Sequence, residues 1–581
     1  MKHDSNALDM QLQDPPKLKT NTLRVVPLGG LGEVGRNMSV VEMIDPYHED
    51  APPRILILDC GVLFPSDDEP GVDLILPDFS YIADRLDQVE AICITHGHED
   101  HIGAIPYLLK LRGDIPLVGN EFTLGLVQKK LDEHRINGVH FQVKEGDHLQ
   151  RGPFALEFLA VNHSIPDALA VLVKTSAGTI LDTGDFKMDQ LPIDSRITDL
   201  RAFAKAGEEG VDLFMVDSTN ALNPGFVVSE SVVGPEIDKI FSKHNQGVIF
   251  ATTFASHIHR IQHIVNSALK HRRKIAFLGR SMVRNTEIAA KMDKLQIPEK
   301  LKVDLKNARS IPPEQLCIIC TGSQGEQLAG LSRMSQGMHP SINITGDDTV
   351  IFASSLVPGN EQAVTSLQNR IITLGAKIYS RDNAVVHCSG HANRGELEYI
   401  YNVVRPKNVL PIHGEPRHLL ENARIAQSTG IDPRDTPTIL NGGVLDIFES
   451  RAKIVGRIKN GYVFVDGRNV GTVSEEDLVQ RRILSEEGFV AVFATVDLDA
   501  KKVIVRPRIV AKAVAENDAI FAGLVSKVRK ALERAMLEDG IDDLGKLSRV
   551  VRRVVGKWVS RELRRSPMIL PMVNAASETL V

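Results

Sequence analysis

The sequence predicts an α/β protein made of several domains, and three observations carry that reading. The chain has 581 residues, too many for one hydrophobic core. Short apolar strands recur along it, and several end in a histidine or an aspartate. Between about residues 211 and 320 strands alternate with helix-like stretches, the pattern of a parallel sheet covered by helices. Hydrophobic residues make up 43% and charged residues 24%, as in a globular protein. The net charge of −6 gives no global attraction to nucleic acid, so a polyanion would have to be held by a local cleft or by metal ions. No run of about 18 apolar residues predicts a membrane span, and the start of the chain has no apolar signal core. Five scattered cysteines (Cys60, Cys93, Cys317, Cys320, Cys388) fit a reducing, cytoplasmic setting better than a disulfide framework.

Residues 1–20 are polar, contain Pro15-Pro16, and are expected to be a disordered tail. Leu23 to Leu28 reads as a strand and runs into Gly30-Leu31-Gly32-Glu33-Val34-Gly35, a GxGxxG pattern. A dinucleotide fingerprint needs a helix next, whereas Asn37 to Ile44 is β-like, so this is a glycine-rich loop between strands. Pro52-Pro53 marks a turn before the buried strand Arg54 to Asp59.

Val89 to Ile94 is another strand, and it delivers Thr95-His96-Gly97-His98-Glu99-Asp100-His101 ahead of a helix-like run, Ile102 to Leu111. In extended backbone His96 and His98 point to one side, while Asp100 and His101 enter the next turn and face another point. That suits two adjacent metal ions better than one, and imidazole and carboxylate are ligands that zinc accepts. Further candidates stand at strand ends: Asn162-His163 after Phe154 to Val161, Asp182-Thr183-Gly184-Asp185 after Gly178 to Leu181, and His413-Gly414-Glu415 after Asn408 to Ile412. Cys317 and Cys320 form a CxxC within an apolar, β-like run, so they read as buried strand cysteines rather than a redox pair.

The ordered set His96, His98, Asp100, His101, His163, Asp185 and His413 resembles the metallo-β-lactamase superfamily. The resemblance implies an αββα sandwich holding two zinc ions per subunit at the sheet edge, with Mn²⁺ or Mg²⁺ as alternatives. His96, His98 and His163 would hold one ion, Asp100, His101 and His413 the other, and Asp185 would bridge them. The long interval between Asp185 and His413 must carry an insertion, and it resembles the parallel α/β β-CASP domain of nucleic-acid-processing members.

The whole is similar to the ribonuclease J family. The motifs are Gly29 to Asn37, Thr95 to Gly103, Thr183 to Lys187, Asp217-Ser218-Thr219-Asn220, Gly279-Arg280-Ser281-Met282, Pro358-Gly359-Asn360-Glu361, His387 to Ala392 and Pro411 to Glu415. Two positions depart from the pattern: Asn is expected more often than His257, and His more often than Asp182. The implied organisation is a metallo-β-lactamase domain at 21–222 and 375–450, a β-CASP domain at 223–374, a linker at 451–470 and a small α+β C-terminal domain at 471–581.

The implied activity is two-metal hydrolysis of RNA, 5′-to-3′ exonuclease with internal cleavage besides, in RNA maturation and decay. The alternatives are a DNA-directed nuclease of the same fold and a metal-dependent small-molecule hydrolase. By the resemblance His391 is the general acid, Asp217 orients it or raises its pKa, and Asp100 completes the catalytic set. Ser389, Gly390, His391 and Ala392 would hold substrate phosphates, with Arg280 adding charge. Implied partners are RNA with a 5′-monophosphate, a homodimer or homotetramer, and an RNA-decay complex with a helicase or another ribonuclease; no membrane is involved. The last helix-like stretch, Gly545 to Leu563, carries Arg549, Arg553, Lys557, Arg561 and then Arg565 at four-residue spacing, a basic stripe opposite apolar residues.

Overall fold

The computed structural model describes residues 14–45, 51–66, 68–326, 329–357, 360–515 and 517–576. Residues 1–13 of the expected tail, and Pro358-Gly359 of the family motif, lie outside these. Within 14–20 the chain is mostly exposed but anchored at two points: Leu18 is buried, and the Arg24 guanidinium donates to the Pro16 carbonyl at 2.9 Å. The chain forms two compact units, Met1–Phe64 with Ile75–Val463, and Pro65–Leu74 with Phe464–Val581.

The first unit contains two sheets that face each other. One has eight strands in the order Arg451–Arg457, Gly443–Phe448, Leu23–Gly29, Met38–Met43, Arg54–Leu58, Val89–Cys93, Pro116–Gly119, Val139–Gln142. The other has six, in the order Asn408–Ile412, Leu213–Asp217, Gly178–Asp182, Leu169–Thr175, Phe154–Ala160, His148–Arg151. Alternate residues of each meet in one core, among them Leu23, Val25 and Leu56 against Phe158, Val171 and Met215. The outer face of the six-stranded sheet packs Phe214, Leu159 and Leu172 against Phe203, Leu397 and Tyr401 of the helices Leu200–Glu209 and Arg394–Val404. This is the expected sandwich. The strand Arg451–Arg457 overturns the start of the expected linker. It pairs antiparallel with Gly443–Phe448, and its Ala452 and Ile454 pack against the core.

Parallel pairing positions the site. Gly178–Asp182, Leu213–Asp217 and Asn408–Ile412 run side by side, with Asp182 opposite Met215 and Asp217 opposite Ile412. Their ends therefore open at one edge, where Asp185, Asp217 and His413 follow. In the facing sheet Arg54–Leu58 and Val89–Cys93 are also parallel, and they deliver Asp59 and His96.

The insertion is a five-stranded, all-parallel sheet in the order Lys274–Leu278, Leu316–Cys320, Ile249–Thr252, Thr349–Phe352, Lys377–Tyr379. Its last strand lies past the expected boundary at 374, so the return to the sandwich comes after Tyr379. Cys317 and Cys320 sit three apart on one strand, so they face opposite sides; both are buried, and burial pushes each thiol up to about 12.

In the second unit Phe489–Asp497 pairs antiparallel with Lys502–Lys512 and parallel with Met568–Ala575. Val490, Val492, Ala494 and Val496 face the helices Ala522–Leu537 and Leu544–Leu563. Sequence reading missed the strand Met568–Ala575, which carries Pro571, and the helix Glu475–Glu487, whose only buried residue is Leu478. It also missed Pro65–Leu74, where Asp73 N–H donates to the Val465 carbonyl at 2.8 Å.

Candidate metal centre and active site

The turn after Val89–Cys93 is built as its residue types require. His98 is extended (φ −71°, ψ 152°) and the helix Glu99–Ile102 starts after it. His96 and His98 thus share extended chain, while Asp100 and His101 lie on the first helical turn. The single helix expected from Ile102 to Leu111 is instead interrupted, and it resumes as Ile105–Leu111. Gly61 lets the neighbouring loop press against this turn: a Cβ there would stand 1.6 Å from the Asp100 carbonyl oxygen. Asp59 fixes the turn from below, accepting from Thr95 N–H and Thr95 Oγ1, each at 2.8 Å.

The seven sequence-predicted residues come together in two overlapping groups that share one carboxylate: His96, His98, His163 and Asp185, then Asp100, His101, Asp185 and His413. In the first, His98 Nδ1 lies 3.1 Å from both His96 Nε2 and His163 Nε2. Ligand atoms held tetrahedrally at about 2.0–2.1 Å from one ion would stand about 3.3 Å apart. In the second, His101 Nε2 is 3.7 Å and His413 Nε2 3.4 Å from Asp100 Oδ2. Asp185 Oδ2 lies between the groups, 3.6 Å from His96, 3.5 Å from His163 and 3.3 Å from His101. His413, with φ 51°, turns its Nδ1 to Asp185 Oδ1 at 2.6 Å.

The electrostatics suit cations. Burial holds His96 and His163 well below the usual imidazole range and takes His98 to about 4, which leaves nitrogen lone pairs free for a metal. In the second group burial also opposes charge, but Asp185 and other carboxylates outweigh it, lifting His101 well up and His413 to about 10. Buried carboxylates there demand positive charge, and without it protons must supply it. His413 Nε2 is a buried nitrogen with no hydrogen-bond partner among the described residues. The donor set, nitrogen and carboxylate oxygen in two groups of four, fits a pair of divalent ions.

The other ring nitrogens are anchored. His96 Nδ1 is 3.0 Å from Thr95 Oγ1, His101 Nδ1 2.7 Å from Asp59 Oδ2, and His163 Nδ1 2.7 Å from the Gly390 carbonyl. Such contacts fix the tautomer and aim Nε2 inward. His391 stands beside the groups. Its Nδ1 is 2.8 Å from Asp217 Oδ2 and 3.9 Å from Asp185 Oδ2, and its side chain is 20% exposed where Asp217 and Asp185 are at 1% and 2%. Asp217 is itself held, since Oδ1 accepts from Thr219 N–H and Oγ1. Burial opposes charge on His391, but Asp217 and then Asp185 raise its pKa above the ordinary value.

Behind the loop lies a buried ionic cluster that sequence reading did not find. Arg260 donates to both Glu230 carboxylate oxygens at 2.7 and 2.9 Å, and to the Ala353 and Val386 carbonyls at 2.7 and 2.6 Å. Cys388 Sγ donates to Glu230 at 2.8 Å, and Lys187, two residues past Asp185, reaches Cys388 at 3.6 Å. His257, one of the two departures, and His387, the first residue of the His387 to Ala392 motif, face each other here, with burial and then Arg260 depressing both. Asp182, the other departure, is buried, accepts from Gly184 N–H at 2.9 Å and is pushed up to about 7 by that burial. Arg280 begins the helix Arg280–Lys291 and is exposed in a groove with Lys129, Val283, Arg284 and Glu287, none of which belongs to the His391 loop.

Comparison with known proteins agrees with this fold. Family models match at 30–186 (metallo-beta-lactamase superfamily), 246–371 (ribonuclease J, beta-CASP domain), 375–434 (Zn-dependent metallo-hydrolase RNA specificity domain) and 477–576 (ribonuclease J C-terminal domain). The chain is 45% identical to ribonuclease J of Mycolicibacterium smegmatis over 97% of its own length and 100% of the relative's. The chain belongs to the ribonuclease J family. Its likeness to ribonuclease J of Mycobacterium tuberculosis is also 45%, with the same coverage, and to that of Thermus thermophilus 37% over 95% of each chain. The matches give the chain a metallo-hydrolase domain and a β-CASP insertion. Among the described residues no helix is long and apolar enough to cross a membrane.

Proposed function

We propose that this chain is a metal-dependent ribonuclease of the ribonuclease J type, with two zinc ions per subunit. It removes nucleotides from the 5′ end of RNA and also cuts internally, in RNA maturation and decay. The observation that carries this is Asp185, one of whose oxygens lies within 3.6 Å of ring nitrogens from both groups, next to the His391–Asp217 pair. Divalent ions held there supply Lewis acidity, acidifying water and neutralising charge that builds on a phosphoryl group. His96, His98 and His163 would hold one ion, Asp100, His101 and His413 the other, with Asp185 between. Nitrogen and carboxylate donors favour Zn²⁺, and Mn²⁺ accepts the same set.

The protein's own part is protonic and positional. His391, its pKa raised by Asp217, gives its proton to the leaving 3′-oxygen. Asp217 holds the ring so that Nε2 is the nitrogen left for the substrate. Gly390 fixes His163 through its carbonyl, and the backbone of Ser389 to Ala392 is the candidate cradle for a substrate phosphate. A 5′-monophosphate preference, a homodimer or homotetramer, a cytoplasmic setting and a decay complex with a helicase or another ribonuclease complete the proposal, on the family resemblance.

One experiment tests it: the purified chain acting on a labelled RNA with 5′-monophosphate, triphosphate or hydroxyl ends, and on the matched DNA, with metals varied. Mononucleotides released from the 5′-monophosphate RNA, with zinc or manganese, are expected. Cleavage of DNA alone would replace the proposal by a DNA nuclease, and cleavage of neither would overturn it.

A further inference from the structure

The helix Leu544–Leu563 of the second unit is two-faced. Leu547, Val551, Val555 and Val559 are buried against Val528, Leu532 and the sheet. On the other side Lys546, Arg549, Arg553 and Lys557 fall within about 80° of arc and span about 17 Å of helix axis. Arg552 and Arg561 flank them. All six are exposed.

Local chemistry leaves this charge uncompensated. Glu562 is the one acidic residue of the helix, and it pairs with Arg561. Among the described residues Lys546, Arg549, Arg552, Arg553 and Lys557 make no ion pair, whereas on the preceding helix Arg529 and Arg534 are matched at four-residue spacing by Glu533 and Glu538. Like charges four residues apart destabilise a helix. The fold therefore gains nothing from Arg549, Arg553 and Lys557 in series. The chain as a whole is acidic, so the stripe is a local exception.

We infer that this face is a second contact for single-stranded RNA, gripping the phosphate backbone without reading sequence. The inference rests on the ribonuclease reading above. Phosphate contacts by Lys and Arg release condensed counterions, so each adds about 0.7 to the salt slope of binding to a single strand. An acidic protein partner is the rival occupant, and RNA is favoured because the same chain carries the RNA-cutting site.

The test uses the full-length chain and the variant R549Q/R553Q/K557Q, which keeps good helix formers on an exposed face. RNA binding is measured in EDTA over a range of salt concentrations, and cleavage is measured on an oligonucleotide of a few residues and on a long unstructured RNA. The expected result is a log–log salt slope smaller by about 2 in the variant. Turnover of the short substrate should be unchanged, and fewer cuts should be made per encounter on the long one. An unchanged slope with unchanged long-substrate cleavage overturns the inference and leaves the face to an acidic protein or to solvent. Failure of the wild-type chain to cut either RNA overturns the ribonuclease reading instead, and the salt slope still decides the stripe.

Discussion

His163 Nδ1 lies 2.7 Å from the carbonyl oxygen of Gly390, one residue before His391. One imidazole thus faces the candidate metal with Nε2 and the candidate acid's loop with Nδ1. A Cβ at Gly390 would stand 2.6 Å from the His163 ring. Gly390→Ala should therefore push the ring off its aim and lower metal affinity by about 10–100-fold. Metal titration of the apoprotein, followed by calorimetry, measures this; unchanged affinity would show that the ring has room to yield.

Proton delivery and metal retention are predicted to separate. His391→Ala should keep both ions while cleavage falls by about 10²–10⁴. Asp100→Ala should lose the ion of its own group and keep the other. Elemental analysis beside a cleavage assay distinguishes them, and joint loss of metal and activity in His391→Ala would remove its role as donor.

The pH profile follows from Asp217. Asp217 and Asp185 raise the His391 pKa above the ordinary imidazole value against the opposing effect of burial, so its proton is lost at higher pH than from a free imidazole. Activity should fall on the alkaline side. Asp217→Asn removes the strongest raising influence, so the alkaline limb should move to lower pH as the maximal rate drops. A limb that stays in place would mean another group sets it.

The Glu230–Arg260 cluster makes a stability prediction. Arg260→Met leaves the buried Glu230 carboxylate without its cation and the Val386 carbonyl without its donor, while the Ala353 carbonyl keeps Thr253 Oγ1 at 3.2 Å, a loss of about 3–5 kcal/mol. Urea unfolding should show it. Because Val386 and Cys388 belong to the segment leading to His391, turnover should fall at temperatures where the variant is still folded.

Much of the site was legible because one rule recurs: a buried strand ends and a ligand-type residue follows. That rule exposed His96, His163, Asp185 and His413, and applied to Arg54–Leu58 it would also have given Asp59. Arg260 and Glu230 left no such trace. Charged residues beside an amphipathic helix read as exposed, and only the tertiary fold buries them. Boundaries failed for a similar reason. Lys377–Tyr379 is an edge strand of only three residues, and Arg451–Arg457 is an edge strand with charged residues at 451, 453 and 457; pairing with a neighbour defines both.

Asp185 and His413 meet at 2.6 Å although 228 positions separate them, and His163 and Gly390 meet across 227. A ribosome reading this message makes the first cation-binding group early, then the whole insertion, and only afterwards the proton donor and the last ligand. The two groups and the proton donor can therefore close on one another only once the whole insertion has been made.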